Sequence, residues 1–588
     1  MFFFPYLFIK GGYYLKLIWQ YLKKHPQLLF LDLFGAMMFV VVNLGLPTIL
    51  SFIIDQAIVP KDIPRLYYWL IVMGVVIILG MLGRIVLIYA ASKLTTTMVK
   101  DIRNDLFDKI QQFSHQEYET IGVSSLVTRV TSDAFVLMQF TDQMLRVGMI
   151  TPIMMISSLI AVLMTNRSLA WIILLAMPFV GLAVFVIARK SHPLSQEQQS
   201  NLDLLNQYGR ENLTGLRVIR AFAREEYQEH KFDEANQSYA GVSSRLFKLM
   251  GTALPAFLHI FFWMLIAIIW FALKPLADGT LLVGNLVAFV QYSFHALFSF
   301  MLLANLFIIY PKTSVSAERL QEIFDMPISI DMNESGIKET QTQGYLEFDN
   351  VTFAYPGETE NPVLENINFK AKPGEIVAFI GSTGSGKSTL VQLIPRFYDV
   401  TLGRIILDGV DLRDYNLKAL RRKIGFVPQK SLLFTGTIGD NLRFGKYNAE
   451  ERELEHASDI SQSRDFIEKS QKRFQTYLEE SGGNLSGGQR QRLSIARALV
   501  KKPAVYIFDD SFSALDYQTD KQLRRRLKEV THDATVLIVA QRVTSIMNAD
   551  QIIVLDKGKI VGRGTHEELM ASNEIYQEIA YSQIKEEE

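Results

Sequence analysis

Apolar residues crowd the first half of the chain and thin out after about residue 325. Six long apolar segments stand there, at roughly 27–56, 66–93, 136–165, 168–190, 250–273 and 283–310. Each supplies the ~20 residues an α-helix needs to cross a bilayer, which buried helices of a soluble core rarely do six times in succession. The links between them alternate in length. Pro60-Lys61-Asp62-Ile63-Pro64, Asn166-Arg167-Ser168 and Lys274 to Thr280 are short. The other two, about 94–135 and 190–249, are long, polar, helix-forming and rich in Lys and Arg. Basic residues mark the cytosolic side, so these two links and both termini are placed in the cytosol. The spanning helices then continue well beyond the bilayer. Tyr13 to Leu22 mixes aromatic, aliphatic and Lys residues before Lys23-Lys24, and predicts a helix lying in the cytosolic interface. Phe2-Phe3-Phe4 to Ile9 is apolar but short, with no basic stretch before it, unlike a cleaved signal peptide.

The pattern changes after an acidic and polar stretch at about 311–345. Short strand-like runs now alternate with helical ones: Tyr345 to Phe348, Val351 to Tyr355, Ile376 to Ile380, Ile424 to Pro428, Ala504 to Phe508 and Val536 to Ala540. This predicts an α-helical transmembrane domain over 1–325, a linker over 326–344 and an α/β domain over 345–588.

One motif organises the second half. Gly381-Ser382-Thr383-Gly384-Ser385-Gly386-Lys387-Ser388-Thr389 follows an apolar strand and opens a helix, Leu390 to Ile394. In that context it reads as a phosphate loop rather than a flexible linker. Glycines let a row of N–H groups face an anion, and the helix start adds its positive end. Lys387 would reach the β- and γ-phosphates, and Ser388 would hold Mg²⁺. Further polar residues stand at strand ends: Tyr355, which can stack on a base or fill the core, then Gln429, Asp509-Asp510 and Gln541. Asp509 is placed to hold Mg²⁺ through water. Leu485-Ser486-Gly487-Gly488-Gln489 opens a helix whose first N–H groups, at Ser486 and Gly487, would bind a terminal phosphate. Ser513-Ala514-Leu515-Asp516 follows the Asp pair.

Charge and composition narrow the chemistry. Lys+Arg and Asp+Glu are both 60, which gives no basic footprint for nucleic acid. There are no cysteines, so disulfides, thiol catalysis and cysteine metal sites are excluded. Asn43, Arg84, His259, Gln291, His295 and Asn305 are polar residues at membrane depth. Arg84 lies toward the inner end of its span, where snorkelling to headgroups is the favoured reading. Asn43, His259, Gln291 and His295 are candidates for a substrate cavity, with interhelical hydrogen bonding as the alternative. Phe294, Phe298 and Phe300 form either an apolar binding wall or a lipid-facing surface.

Over nearly its whole length the chain resembles a half-subunit of the ABC transporters of exporter type. By that resemblance Tyr355 is the adenine-stacking aromatic, Gly381 to Thr389 Walker A, and Gln429 the Q-loop glutamine that senses Mg²⁺ and the γ-phosphate. Leu485 to Gln489 is the signature, Val505 to Asp509 Walker B, and Ser513 to Asp516 the D-loop. The stretch Glu211 to Phe222 within the second long link also resembles exporters. The resemblance implies ATP and Mg²⁺ as ligands, ATP hydrolysis coupled to transport, and a bacterial plasma membrane location with membrane lipids around it. Two positions depart from the family. Asp510 stands where a glutamate base is usual, and Gln541 where a switch histidine is usual. Together they resemble the degenerate site of heterodimeric multidrug exporters. This implies a second exporter half-subunit as partner and amphipathic or hydrophobic compounds as substrates. The alternatives are a homodimeric lipid or drug exporter hydrolysing through Asp510, and a regulatory subunit with ATP as ligand only. No peptidase domain precedes the first span, which argues against peptide processing.

Overall fold

The computed structural model describes residues 12–340, 343–358 and 360–585; Phe2 to Ile9 fall outside them. The chain divides into two compact units. One holds the described residues up to Gln111 together with Ser124–Met326, and the other holds Gln112–Val123 together with the chain from Pro327 onward.

Six helices in the first unit are long and apolar enough to cross a membrane, among the described residues: Pro26–Ile58, Ile63–Gln111, Val123–Thr165, Arg167–Thr214, Glu225–Ala277 and the helix beginning at Val283. The second runs for 49 residues, or ~74 Å, more than twice a ~30 Å hydrocarbon core. The first two pack closely through small residues. A Cβ on Gly35 would lie 2.7 Å from the Leu87 backbone nitrogen, and one on Gly80 would lie 2.5 Å from the Val42 side chain. The end of the first span meets the start of the sixth: Asp55 accepts from the Gly284 and Asn285 N–H groups at 2.7 and 3.1 Å. Thr48 and Tyr292 share a hydrogen bond of 2.5 Å between the same helices.

The helix Gly12–Leu22 buries Leu17, Ile18, Tyr21 and Leu22 against the protein. Asp101 and Asp105 draw it in, accepting from His25, Lys24 and the Tyr21 hydroxyl. The Arg84 guanidinium lies 4.9 Å from the centre of the Phe39 ring.

The second unit is built on a six-stranded sheet in the order Lys559–Gly564, Gln551–Asp556, Ile376–Gly381, Thr535–Val539, Val505–Asp509, Ile424–Val427. All neighbours are parallel except the first pair. Val505–Asp509 and Thr535–Val539 are buried at every position, as continuous apolar runs in a parallel sheet require. A four-stranded antiparallel sheet, ordered Leu364–Ala371, Leu346–Phe353, Leu402–Leu407, Val410–Asp411, shares one core with it through Phe348, Phe369 and Phe379.

Described residues within 326–344 pack onto this unit. Ile330 is buried in that core, Ile337 bridges to Tyr415, and the Gly344 N–H donates to Asp408 at 2.6 Å. Gln112–Val123, which in sequence lies inside the 1–325 stretch, also belongs to this unit. Its helix His115–Ile121 starts with a capping box between Ser114 and Glu117, and Glu117 also accepts from the Ser329 N–H at 3.0 Å.

Candidate nucleotide site

Strand ends place the polar residues. Ile376–Gly381, Val505–Asp509, Thr535–Val539 and Ile424–Val427 run parallel, so the residues that follow each emerge at one edge. That edge is where open α/β sheets bind ligands.

The phosphate loop begins at a position that only glycine fits. A Cβ on Gly381 would lie 2.0 Å from the Leu555 carbonyl oxygen. At Gly384 (φ +84°) a Cβ would meet nothing within 4 Å, so the loop's outer side is open. Gly386 (φ +95°) turns the chain into the helix Lys387–Leu393. Lys387 folds back into the loop and donates to the Gly381 and Ser382 carbonyls at 2.8 and 2.7 Å. Burial pushes its ammonium below the ordinary lysine range, against the pull of Asp510 and Asp509. The cation is held by loop carbonyls that a phosphate would outcompete. In the next two positions, the Ser388 hydroxyl donates to Asp509 at 2.8 Å, and Thr389 shares a 3.0 Å hydrogen bond with the Tyr355 hydroxyl. Tyr355 stands edge-on to Phe353 and Tyr398, with centroids 5.0 and 5.3 Å away.

Three of the sequence-chosen residues converge on one atom. Oδ2 of Asp510 accepts from the Gln541 side-chain amide at 2.7 Å and from that of Gln429 at 3.1 Å. Asp510 sits in the left-handed backbone region (φ +48°) and is nearly buried. Burial pushes its carboxyl above the usual range, opposed by Gln429, Lys387, Arg542 and Gln541. Burial also raises Asp509, against the Ser388 hydrogen bond. The Ser388 hydroxyl and the Asp509 carboxylate form a close pair of hard oxygen donors, which fits Mg²⁺.

The signature stretch lies at the start of a different helix, Gly487–Lys501. Ser486 and Gln489 form a capping box: the Ser486 N–H donates to Gln489 at 2.9 Å, and the Gln489 N–H to Ser486 at 3.3 Å. The Ser486 N–H is therefore spent inside the motif. Gly487 is exposed, with nothing within 4 Å of a Cβ there, while Gly488 packs 3.2 Å from the Ala514 carbonyl. Leu485 is partly buried and packs against the core. Ser513 donates to the Asp510 carbonyl at 3.0 Å, and Asp516 caps the helix Tyr517–Val530.

Residues 29–301 match the family model of the ABC transporter transmembrane region, and residues 364–513 match that of the ABC transporter. An uncharacterized ABC transporter ATP-binding protein of Mycobacterium tuberculosis is 36% identical over 97% of this chain and 98% of its own length. The chain belongs to the ABC transporter family. An ATP-dependent lipid A-core flippase of Pseudomonas savastanoi is 31% identical over 96% of this chain and 95% of its own length. A solved bacterial Atm1-family ABC exporter with ATP bound has the same fold, with a TM-score of 0.78, 22% identity, and coverage of 94% of this chain and 98% of that one. The protein is thus a multi-pass ABC exporter whose membrane and ATP-binding domains are fused, and its ATPase is coupled to transport.

The membrane residues chosen from sequence are held separately in their hydrogen bonding. Asn43 donates to the Phe39 carbonyl of its own helix at 2.8 Å, and His259 is exposed on the chain's surface. Gln291 and His295 lie one turn apart, half-buried. Among the described residues no hydrogen bond joins the four; the Asn305 side chain lies outside the described ones. Phe294 and Phe298 stack on each other at 5.4 Å and pack against Phe257. Phe300 packs against Gly181. The sequence reading missed Gln583. Its amide donates to the Gln541 carbonyl at 2.6 Å and accepts from the Val543 N–H at 2.8 Å. A glutamine in a polar terminal helix carries no local signal of that reach.

Proposed function

We propose that this ABC exporter chain is half of a heterodimer whose own ATP site is the slow one. The observation that carries this reading is the Asp510 carboxylate held by two amides. An aspartate is one methylene shorter than the usual glutamate, and a ~1 Å retreat can cost about 10²-fold in rate. Gln541 donates to it from an amide that neither gains nor loses a proton. Tyr355 stacks the base, and the Walker A loop with Lys387 cradles the phosphates. Ser388, Gln429 and, through water, Asp509 hold Mg²⁺, which offsets phosphate charge when bound. Leu485 to Gln489 acts in trans, completing the partner's hydrolytic site together with the D-loop, Ser513 to Asp516. The substrates are amphipathic or hydrophobic compounds moved across the bacterial plasma membrane, with both termini in the cytosol.

A second reading is a homodimeric lipid exporter hydrolysing through Asp510. It is favoured by the likeness to a relative named as a lipid A-core flippase, and a carboxylate raised by burial remains a usable base. Steady-state Mg²⁺-ATPase of the purified chain, alone and co-expressed with an adjacent exporter chain, separates the two. Activity only in the pair, abolished when the partner's Walker B Glu is replaced, supports the heterodimer. Robust activity of this chain alone, lost in Asp510→Ala, supports the homodimer. Neither ATPase nor transport in any pairing leaves ATP as a regulatory ligand.

A further inference from the structure

The helix His115–Ile121, contributed by the link between the second and third spans in sequence, lies in the same compact unit as the nucleotide site. One ring touches both. Tyr398 is buried, and its edge faces Tyr355 at 5.3 Å between centroids, nearly perpendicular. On another side it meets the His115 ring at 5.7 Å, again edge-on. Its hydroxyl donates to Glu119 at 3.1 Å. Phe397, the preceding residue, stacks on His115 at 6.1 Å.

The ring is mounted rigidly. Arg396, at φ +54°, grips Asp399 with two hydrogen bonds of 2.6 and 3.0 Å. Arg421 donates to the carbonyls of Pro395 and Arg396, both at 3.1 Å. The turn 395–399 is thus fixed from both ends. A phenylalanine would fill the same space, so core packing alone does not account for the hydroxyl. A buried phenol needs a partner, and this one finds it on the helix, 279 residues away in sequence.

We propose that Tyr398 is a positioning residue that sets the angle of Tyr355 and ties it to the helix His115–Ile121. The ring supports Tyr355 from the side, and the hydroxyl registers where the helix sits. Binding a nucleotide base on Tyr355 then biases the helix, and moving the helix biases nucleotide affinity by the same factor. This rests on Tyr355 being the base platform.

The test uses the full-length chain in lipid nanodiscs. Binding is read by titration with a fluorescent ATP analogue, TNP-ATP. The helix is read by hydrogen exchange of residues 112–123 with and without ATP. Loss of one aromatic neighbour predicts that Tyr398→Ala weakens nucleotide binding about two- to tenfold. Tyr398→Phe restores affinity to within twofold of the unaltered chain, yet loses most of the ATP-dependent protection of 112–123. Glu119→Ala reproduces that loss, and the two changes together add nothing further. The isosteric Phe variant keeps the test intact even where Ala does not fold. Unchanged binding in Tyr398→Ala overturns the proposal. So does a Phe variant whose helix still responds fully to ATP, or an unaltered chain whose helix does not respond at all. Tyr355→Leu serves as the reference. If it leaves binding unchanged, the base-platform reading has failed and takes this one with it. If it weakens binding while Tyr398→Ala does not, only the role of Tyr398 falls.

Discussion

Gln583 holds the backbone that carries Gln541, and its removal should loosen one loop selectively. The side chain comes from the helix Glu574–Lys585 and bonds on both sides of Arg542: to the Gln541 carbonyl at 2.6 Å and from the Val543 N–H at 2.8 Å. Each hydrogen bond contributes a net ~0.5–1.5 kcal/mol, so Gln583→Ala removes ~1–3 kcal/mol of local restraint. The exposed Gln541 carbonyl regains water and belongs at the low end; the buried Val543 N–H belongs at the high end. The loop's open fraction should therefore rise by roughly tenfold. Hydrogen exchange measures this directly, because the Val543 amide loses its own acceptor. Its exchange should quicken by about tenfold, while amides of the strand Thr535–Val539 keep their rates. Gln583→Glu retains an acceptor for Val543 but offers no donor to Gln541, and should fall between the two. An unchanged Val543 rate in the Ala variant would refute the reasoning, since it would mean that the loop is held by its own packing.

Three further changes test other parts of the structure. Gly381→Ala sets a methyl 2.0 Å from the Leu555 carbonyl oxygen, so the loop must shift; TNP-ATP binding should be lost, and near-normal affinity would count against the loop geometry. Asp32 in the first span is fully buried, with neither carboxylate oxygen hydrogen-bonded among the described residues, while Arg146 is engaged by Asp142 and Ser92. Relieving an unpartnered buried polar group is worth ~1–3 kcal/mol, so Asp32→Leu should hold or raise the thermal midpoint in detergent, and a marked fall would reveal a pairing role. At Glu117, burial pushes the carboxyl up, but hydrogen bonds from Ser114 and Ser329 outweigh it and leave it below the ordinary glutamate range. A depressed carboxyl stabilises fully above its unfolded value of ~4.3 and loses that as pH falls through the folded value. Exchange protection of residues 112–123 should therefore be flat from pH 8 to about 5.5 and weaken only below ~4.3; a loss near pH 6 would contradict this.

The readable parts of the sequence were those whose physics is local. A span is a run of apolar residues, and a phosphate loop needs its glycines at fixed offsets, as Gly381 shows by the space around it. Gln429, Asp510 and Gln541 stood out because each ends a buried strand, and parallel strands deliver such ends to one edge. That all three would meet at one carboxylate oxygen depends on rotamers, which spacing does not carry. The partners of the membrane residues were not legible, because a polar residue within a span has several partners open to it. Asn43 spends its amide on its own helix, and Arg84 on the Phe39 ring. Tyr398 and Gln583 were invisible for another reason. Each acts on a segment far away in sequence, Glu119 in one case and the 541–543 loop in the other. No periodicity or motif spans that separation.

The two halves of the site's equipment are held differently, and the difference bears on which reading survives. The residues that would act on this chain's own nucleotide are engaged with one another. Asp510 receives two amides, Gln541 is clamped from behind by Gln583, and Lys387 is folded onto its own loop. For Asp510 to take a proton from water, an amide must first leave Oδ2 or the water must approach the other oxygen. The signature stretch needs no such rearrangement. Its capping box is closed, and Gly487 stands open. Catalysis through Oδ2 at this chain's own site would thus require an unlocking step, which the open Gly487 at the start of the signature helix would not. An ATPase rate for the chain alone that equals the pair's would show that the unlocking is free, and would turn the argument toward the homodimer.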